Sequence, residues 1–247
     1  MKRPIYQFYA ELDDFKPKIW RRFQVKGDIT VARLGYIVQV LFEMKASHLM
    51  AIESPIDEIF RKHFTRKFPD KEVSPNHFGD GEKIWRFEIP DDLEPYSDSH
   101  RNVSVMDATN TKLSRITSDP CFWFNLNYDF GDDWWVTINL EDVFEDDTIP
   151  SDELPQVIEG AGFGIVEDVG GVGGLGDFAK AFKKKKGTAY KEYCEWLGIT
   201  EFDMDEFDLD DMNFRLKKIP RIYKQCYEDR KYPTQKSIDL IERKYKN

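Results

Sequence analysis

A chain of 247 residues that is 40% hydrophobic and 15% aromatic can bury a sizeable core, and a formal net charge of -10 argues against coating nucleic acid by bulk attraction to phosphate. No apolar stretch reaches the roughly 20 residues of a membrane span, and Met1-Lys2-Arg3-Pro4 leads into alternation instead of a signal-peptide block, so a cytoplasmic protein with no membrane partner is expected. Cys121, Cys194 and Cys226 lie far apart with no CxxC or Cys/His ligand spacing, which argues against structural zinc and a disulfide framework.

Tyr6, Phe8, Ala10 and Leu12 alternate along one side of a first strand, and Ile19, Arg21, Phe23 and Val25 along a second. The link Asp13-Asp14-Phe15-Lys16-Pro17 carries turn residues, which predicts a hairpin. Thr30 has the side chain to cap a helix over residues 31 to 44, in which Leu34, Ile37, Val38, Leu41 and Phe42 recur on one face that should lie on the sheet. Ser47-His48-Leu49 follows, where helix gives way to strand or loop. Residues 56 to 64 read as a short helix, 84 to 89 as a strand, 90 to 100 as an acidic loop, Val103 and Val105 as a short strand, and 109 to 116 as a short helix.

The chain is organised around Tyr128-Asp129-Phe130-Gly131-Asp132-Asp133-Trp134-Trp135. Before it, Phe122, Phe124, Leu126 and Tyr128 share one strand face; after it, Trp134, Val136, Ile138 and Leu140 share another, and Gly131 among acidic neighbours makes the turn. Residues 141 to 177 hold eleven Asp and Glu and no Lys or Arg, and eight of the 15 glycines fall between Gly160 and Gly176, which predicts a long Gly-rich acidic loop. Helical patterns return at 178 to 186, 190 to 197 and 209 to 219, with Pro220 expected to end the last. Residues 221 to 247 carry eight Lys and Arg against four Asp and Glu, so the chain divides into a domain over 1–220 and a basic C-terminal extension over 221–247.

Asp129, Asp132, Glu167 and Asp168 are the candidate metal ligands, because oxygen donors suit a hard cation such as magnesium or manganese. The alternative gives Asp132 and Asp133 to the turn and Asp129 to nearby backbone amides. The Gly-rich loop is expected to fold back and join these carboxylates in one pocket, compensated by a cation, by Arg21 or Arg22, or by raised carboxyl pKa values. His48 is the candidate catalytic base, since histidine titrates near neutrality, with a buried structural histidine as its alternative. His63, His77 and His100 are expected at the surface. Gly171 to Gly176 matches GxGxxG ahead of a helix, yet no GK[ST] follows and the preceding Ile165-Val166-Glu167-Asp168-Val169 is too short and acidic for a dinucleotide strand, so a glycine turn is expected. On alternating Trp20-Arg21-Arg22 a structural ion pair fits better than a phosphate patch. Nucleic acid could be met only through a local basic surface, Lys183 to Lys186 with the tail, whose alternative reading is a solvated helix end.

The succession Ile19-Trp20-Arg21-Arg22, Ser47-His48-Leu49, Tyr128-Asp129-Phe130-Gly131-Asp132-Asp133-Trp134 and Glu167-Asp168-Val169-Gly170-Gly171 resembles the plasmid pRiA4b Orf-three-like family over about residues 4 to 218. The resemblance implies an α+β domain of a family largely without assigned function, some of whose members travel with mobile elements. Family members commonly carry prolines before the Glu-Asp pair and often cysteines around that loop; Ile165 and Val166 stand there instead, so a thiolate metal site is not expected.

The expected architecture is a single α+β domain with a mixed or antiparallel sheet, covered by the helix at 31 to 44 and a helical C-terminal portion. Two functions stay open. One is a binding or interaction module whose aromatic hairpin and acidic loop meet a protein partner or a basic ligand. The other is a divalent-metal-dependent hydrolase or phosphoryl-transfer enzyme acting through the acidic cluster, with His48 as base.

Overall fold

A computed structural model of the chain describes residues 4–71, 82–90, 102–150 and 152–246. His77, His100 and nearly all of the expected acidic loop at 90 to 100 lie outside them. Among the described residues eight strands form one sheet: β1 (Ile5–Leu12), β2 (Trp20–Lys26), β3 (Met50–Pro55), β4 (Ile84–Glu88), β5 (Val103–Asp107), β6 (Trp123–Tyr128), β7 (Trp134–Phe144) and β8 (Gln156–Ala161). Their order is β5-β4-β3-β6-β7-β1-β2-β8, antiparallel throughout except for β4 beside β5. The sheet is therefore mixed, and the two hairpins read from alternation, β1–β2 and β6–β7, lie in its central part.

Alternation sets which face is buried. Trp134, Val136, Ile138 and Leu140 point into the core, and the register aligns Phe124 with Ile138 and Ile138 with Ala10 across three strands. Phe8 stacks on Phe23 at 5.5 Å and meets Phe124 edge-on at 6.4 Å, so rings supply much of the inner layer. Trp134 is fully buried, and its truncation to alanine would cost about 3–5 kcal/mol.

Helix α1 (Val31–Leu41) crosses this face, its first turn capped by Thr30 Oγ1 accepting the Arg33 N–H at 3.2 Å. All of its residues except Arg33 are buried, because it is covered on both sides, by the sheet and by helices further along the chain. Gly35 permits the close approach to β3: a Cβ there would stand 2.9 Å from Met50.

The peripheral helices are α2 (Ile56–Lys67), α3 (Leu113–Ile116), α4 (Gly171–Lys184) and α5 (Thr188–Leu197). α6 (Leu209–Leu216) and α7 (Ile219–Tyr227) pack on α1, and α8 (Gln235–Ile241) follows. Several boundaries differ from the sequence reading: the helix expected over 31 to 44 ends at Leu41, the one over 109 to 116 starts at Leu113, and three further differences shape the C-terminal half. The long loop at 141 to 177 is interrupted, since β7 runs on to Phe144, β8 pairs with β2 at the sheet edge, and the glycine run opens α4. Pro220 does not end a helix but lies in the first turn of α7, where its missing N–H costs nothing. The division at residue 220 thus falls inside α7, and beyond it Tyr223 and Ile241 are buried in the core. Among the described residues no helix is long and apolar enough to cross a membrane.

The arginines of β2 part as alternation requires. Arg21 is fully buried and donates to the carbonyls of Trp20, Leu41, Ala161, Gly162 and Phe163. Its partners are backbone oxygens, in place of the expected ion pair, and they tie the chain after β8 to the end of α1. Arg22, on the opposite face, pairs with Glu141 and Glu159.

Candidate functional site

Three segments meet at the C-terminal end of α1. The first is the connection from α1 to β3, residues 42–49, which carries His48. Its backbone is fixed from outside: Tyr223 Oη donates to the Met44 carbonyl at 2.5 Å, Tyr227 Oη to the His48 carbonyl at 2.6 Å, and the Ile165 N–H to the Phe42 carbonyl at 2.9 Å. The second is the β6–β7 tip, joined to the first by the Asp129 N–H on the Leu49 carbonyl at 3.0 Å. The third is residues 165–170. Among the described residues, five of the nine non-glycine residues with positive φ, Glu43, Ala46, Asp129, Asp133 and Asp168, fall in these segments. Left-handed backbone at non-glycine residues persists only where surrounding contacts enforce it, and it gathers at functional sites.

The side chains converge on the imidazole. Asp129 Oδ2 stands 3.5 Å from His48 Nδ1, while Glu167 Oε2 and Asp168 Oδ1 stand 3.6 and 3.4 Å from Nε2. These separations are longer than good hydrogen bonds. Glu167 Oε1 is satisfied, accepting the Lys45 N–H at 2.6 Å and Tyr128 Oη at 2.8 Å. Its Oε2 is buried with no hydrogen-bond partner among the described residues. Burial pushes the Glu167 carboxyl above its ordinary pKa, against the pull of those two hydrogen bonds. Burial likewise pushes the Tyr128 hydroxyl up, reinforced by the Glu167 charge, so Tyr128 serves as a donor here. The His48 ring stands edge-on to Tyr128 at 5.8 Å.

Of the residues singled out from sequence, His48, Asp129, Glu167 and Asp168 are brought together. Asp132 is not. Its Oδ2 accepts the Gly170 N–H at 3.1 Å, beside the N-terminus of α4, where the helix dipole favours a carboxylate. There the hairpin presses on the glycine run so closely that a Cβ at Gly171, whose φ is +66°, would lie 2.5 Å from the Asp132 carbonyl oxygen. A phosphate at GxGxxG would meet a carboxylate already in place. Asp133 turns back to accept from Asn127 Nδ2 and Trp135 Nε1, and Asp129 Oδ1 takes the Gly131 N–H, as turn aspartates do. The hydrogen bonds and ion pairs of Arg21 and Arg22 lie elsewhere, so the imidazole stands where a compensating arginine was expected.

Sequence reasoning missed Lys45, Tyr128, Tyr223 and Tyr227 as the groups that position this cluster. Tyr223 and Tyr227 share a helix face at i, i+4, a signal outweighed by the basic count of the segment that holds them. A second group, His63, Asp119 and Cys121, has its donors already engaged: His63 Nδ1 lies 2.5 Å from Asp119, and Cys121 Sγ accepts from Arg66 at 2.8 Å. Lys183 to Lys186 are exposed at the end of α4, with Lys185 paired to Glu201 at 3.0 Å.

The "Uncharacterized protein y4hQ" of Sinorhizobium fredii is 26% identical over 213 residues, spanning 86% of this chain and 91% of its own. The crystal structure of MM3350 from Methanosarcina mazei Go1, a protein of unknown function, superposes with a TM-score of 0.62 at 22% identity, covering 85% of this chain and 97% of that one. At that identity the likeness establishes the fold, down to the α+β arrangement of sheet and helices. The family model described as "Plasmid pRiA4b ORF-3-like protein" matches residues 4–211, which include every residue of the cluster, and the chain belongs to that family.

Proposed function

We propose that this chain is a divalent-metal-binding domain in which His48 Nε2, Glu167 Oε2 and Asp168 Oδ1 hold the ion and Asp129 orients the imidazole through Nδ1. The observation that carries this reading is Glu167 Oε2: a buried carboxylate oxygen with no hydrogen-bond partner among the described residues faces a ring nitrogen at 3.6 Å, with a second carboxylate oxygen at 3.4 Å from the same nitrogen. Ligand atoms about 2.0–2.2 Å from a tetrahedral ion lie about 3.3–3.6 Å from one another, which is the spacing of each of these carboxylate oxygens from Nε2. A carboxylate on the other ring nitrogen is the usual support for a metal-bound histidine.

An imidazole beside carboxylates shifts the fit from magnesium toward manganese, iron or zinc. Asp168 is 70% exposed, so an ion at this place would keep a coordination position open to water or to an anionic ligand. Leu49, 68% exposed, and Phe130, 47% exposed, adjoin His48 and Asp129 in the chain and offer an apolar rim. Metal-dependent capture of a ligand with an oxygen donor next to an apolar group follows from that combination. Hydrolysis by a metal-bound water is the second reading, favoured by the same open position.

Calorimetric titration with manganese and zinc chlorides tests the proposal. Saturable binding of one ion per chain is expected for the wild type and for Asp132→Asn, and its loss for His48→Ala. Absence of binding at millimolar concentrations of both ions, or wild-type binding by folded His48→Ala, would overturn it.

A further inference from the structure

Toward the other end of α1 lies a cavity of about 180 Å³, lined by Val25, Lys26, Ile29, Arg33, Ile37, Leu154 and Pro155. Its walls are mostly aliphatic, and two of its lining residues are cations. Arg33 is the single residue of α1 outside the buried set, and it is half-buried. Among the described residues neither the Arg33 guanidinium nor the Lys26 ammonium has a hydrogen-bond or ion-pair partner. The neighbouring charges pull both ways: Arg221 repels Arg33, while Glu228 attracts it from beyond ion-pair distance and is itself engaged by Tyr36 Oη at 3.2 Å and by Lys224 at 3.4 Å. Burial pulls the Arg33 pKa below its usual value, ahead of the repulsion from Arg221. A guanidinium brought out of bulk water without an anion in direct contact is costly, and its five donors are arranged to grip a planar anion.

We infer that this cavity is a binding site for a small organic anion, whose carboxylate or phosphate head is held by Arg33 and Lys26 and whose apolar body lies among Ile29, Ile37 and Leu154. The volume sets the size of that body, since cavities of roughly 150 Å³ take up benzene. The site is separate from the His48 cluster and needs no metal.

The probes are sodium benzoate, phenyl phosphate and the uncharged benzyl alcohol, titrated with a chelator present so that binding through a metal at His48 cannot contribute. At least one anion is expected to bind saturably, with the alcohol about tenfold or more weaker, as the loss of a charge-assisted hydrogen bond implies. Arg33→Met should lose the same factor while melting no lower than the wild type, because the charge it removes is partly desolvated and repelled by Arg221, which outweigh the attraction of Glu228; should it fail to fold, Lys26→Met carries the comparison. His48→Ala should bind the anion as the wild type does. No saturable binding of either anion, equal binding of alcohol and anion, or undiminished binding by the charge-removing variant would overturn the assignment.

Discussion

Glu43 on the α1–β3 connection and Glu167, which accepts the Lys45 N–H of that connection, are buried to the same degree, 8% and 9% exposed, and their surroundings are opposite. Glu43 takes both oxygens to Arg215 Nη1 at 2.7 Å and one to Arg243 Nη2 at 2.8 Å. Arg243 Nε in turn holds Asp211 at 2.8 Å, and Tyr245 Oη donates to the same carboxylate at 2.6 Å. Two carboxylates there meet two guanidiniums. Around His48, three carboxylates meet one imidazole, and Glu167 Oε2 is left over. A charge-matched buried cluster acts as a clasp, here with Arg215 Nε left without a hydrogen-bond partner among the described residues but no charge left over. An unmatched one at the same depth is held in place by the rest of the fold, and its excess of carboxylate is what the proposed ion would compensate. The clasp and the cluster depend on one stretch of chain, because the residues after 220 that supply Arg243 and Tyr245 to the clasp also supply Tyr223 and Tyr227, which fix the backbone of Met44 and His48.

The largest effect should come from removing residues 221–247, which takes away Tyr223, Ile241 and Arg243 together. Loss of a buried aromatic alone costs about 3–5 kcal/mol, against a total stability of about 5–15 kcal/mol for a typical domain. We expect the shortened chain to lose its cooperative melting transition. A cooperative transition close to that of the full chain would mean that the clasp is not part of the core.

Next comes Glu43→Ala, which leaves Arg215 buried without its counter-ion and should cost about 3–5 kcal/mol in urea unfolding. A loss below about 1 kcal/mol would erase the distinction between the two clusters. The matched but solvent-facing pair Arg22–Glu141 supplies the contrast. Hydrogen bonding from Arg22, set against partial burial and joined by Gln7, holds the Glu141 carboxyl below its ordinary 4.5. A lowered carboxyl contributes stability above its unfolded value and loses it as pH falls through the folded one. Glu141→Gln should therefore cost under about 1 kcal/mol at neutral pH, with the difference from wild type fading once the pH drops below 4.5. The smallest effect belongs to Glu167→Gln. The amide keeps an oxygen for Lys45 N–H and Tyr128 Oη while removing the unmatched charge, so stability should change by about 0–1 kcal/mol in the stabilising direction. Strong destabilisation would show that Glu167 is a structural anion like Glu43.

Much of the fold is legible in the sequence because period-two alternation is a local signal: Tyr6 to Leu12, Phe122 to Tyr128 and Trp134 to Leu140 each state their buried face. Thr30 and the pattern after it place α1 equally well. β8 was hidden, since only Val157 of its six residues is fully buried and its pairing to β2 shifts by a bulge. The start of α4 was hidden because glycine is a poor helix former, and what places it there is contact with the hairpin tip, a tertiary fact. At the site, the types and approximate company of His48, Asp129, Glu167 and Asp168 could be read, whereas the departure of Asp132 to the α4 N-terminus depends on backbone geometry at Gly170. The clasp was illegible. Glu43, Asp211, Arg215 and Arg243 are widely separated in the chain, and a count of charges reads them as surface.

The central claim is that the unmatched cluster takes a divalent ion, and diffraction from crystals grown with zinc chloride, measured on both sides of the zinc absorption edge, tests it most directly. The account predicts an anomalous peak about 2.0–2.2 Å from His48 Nε2, Glu167 Oε2 and Asp168 Oδ1, with Asp129 still on Nδ1 and Asp132 still on Gly170. A cluster without anomalous density at saturating zinc, with Glu167 Oε2 bonded instead to a protein donor, would contradict it.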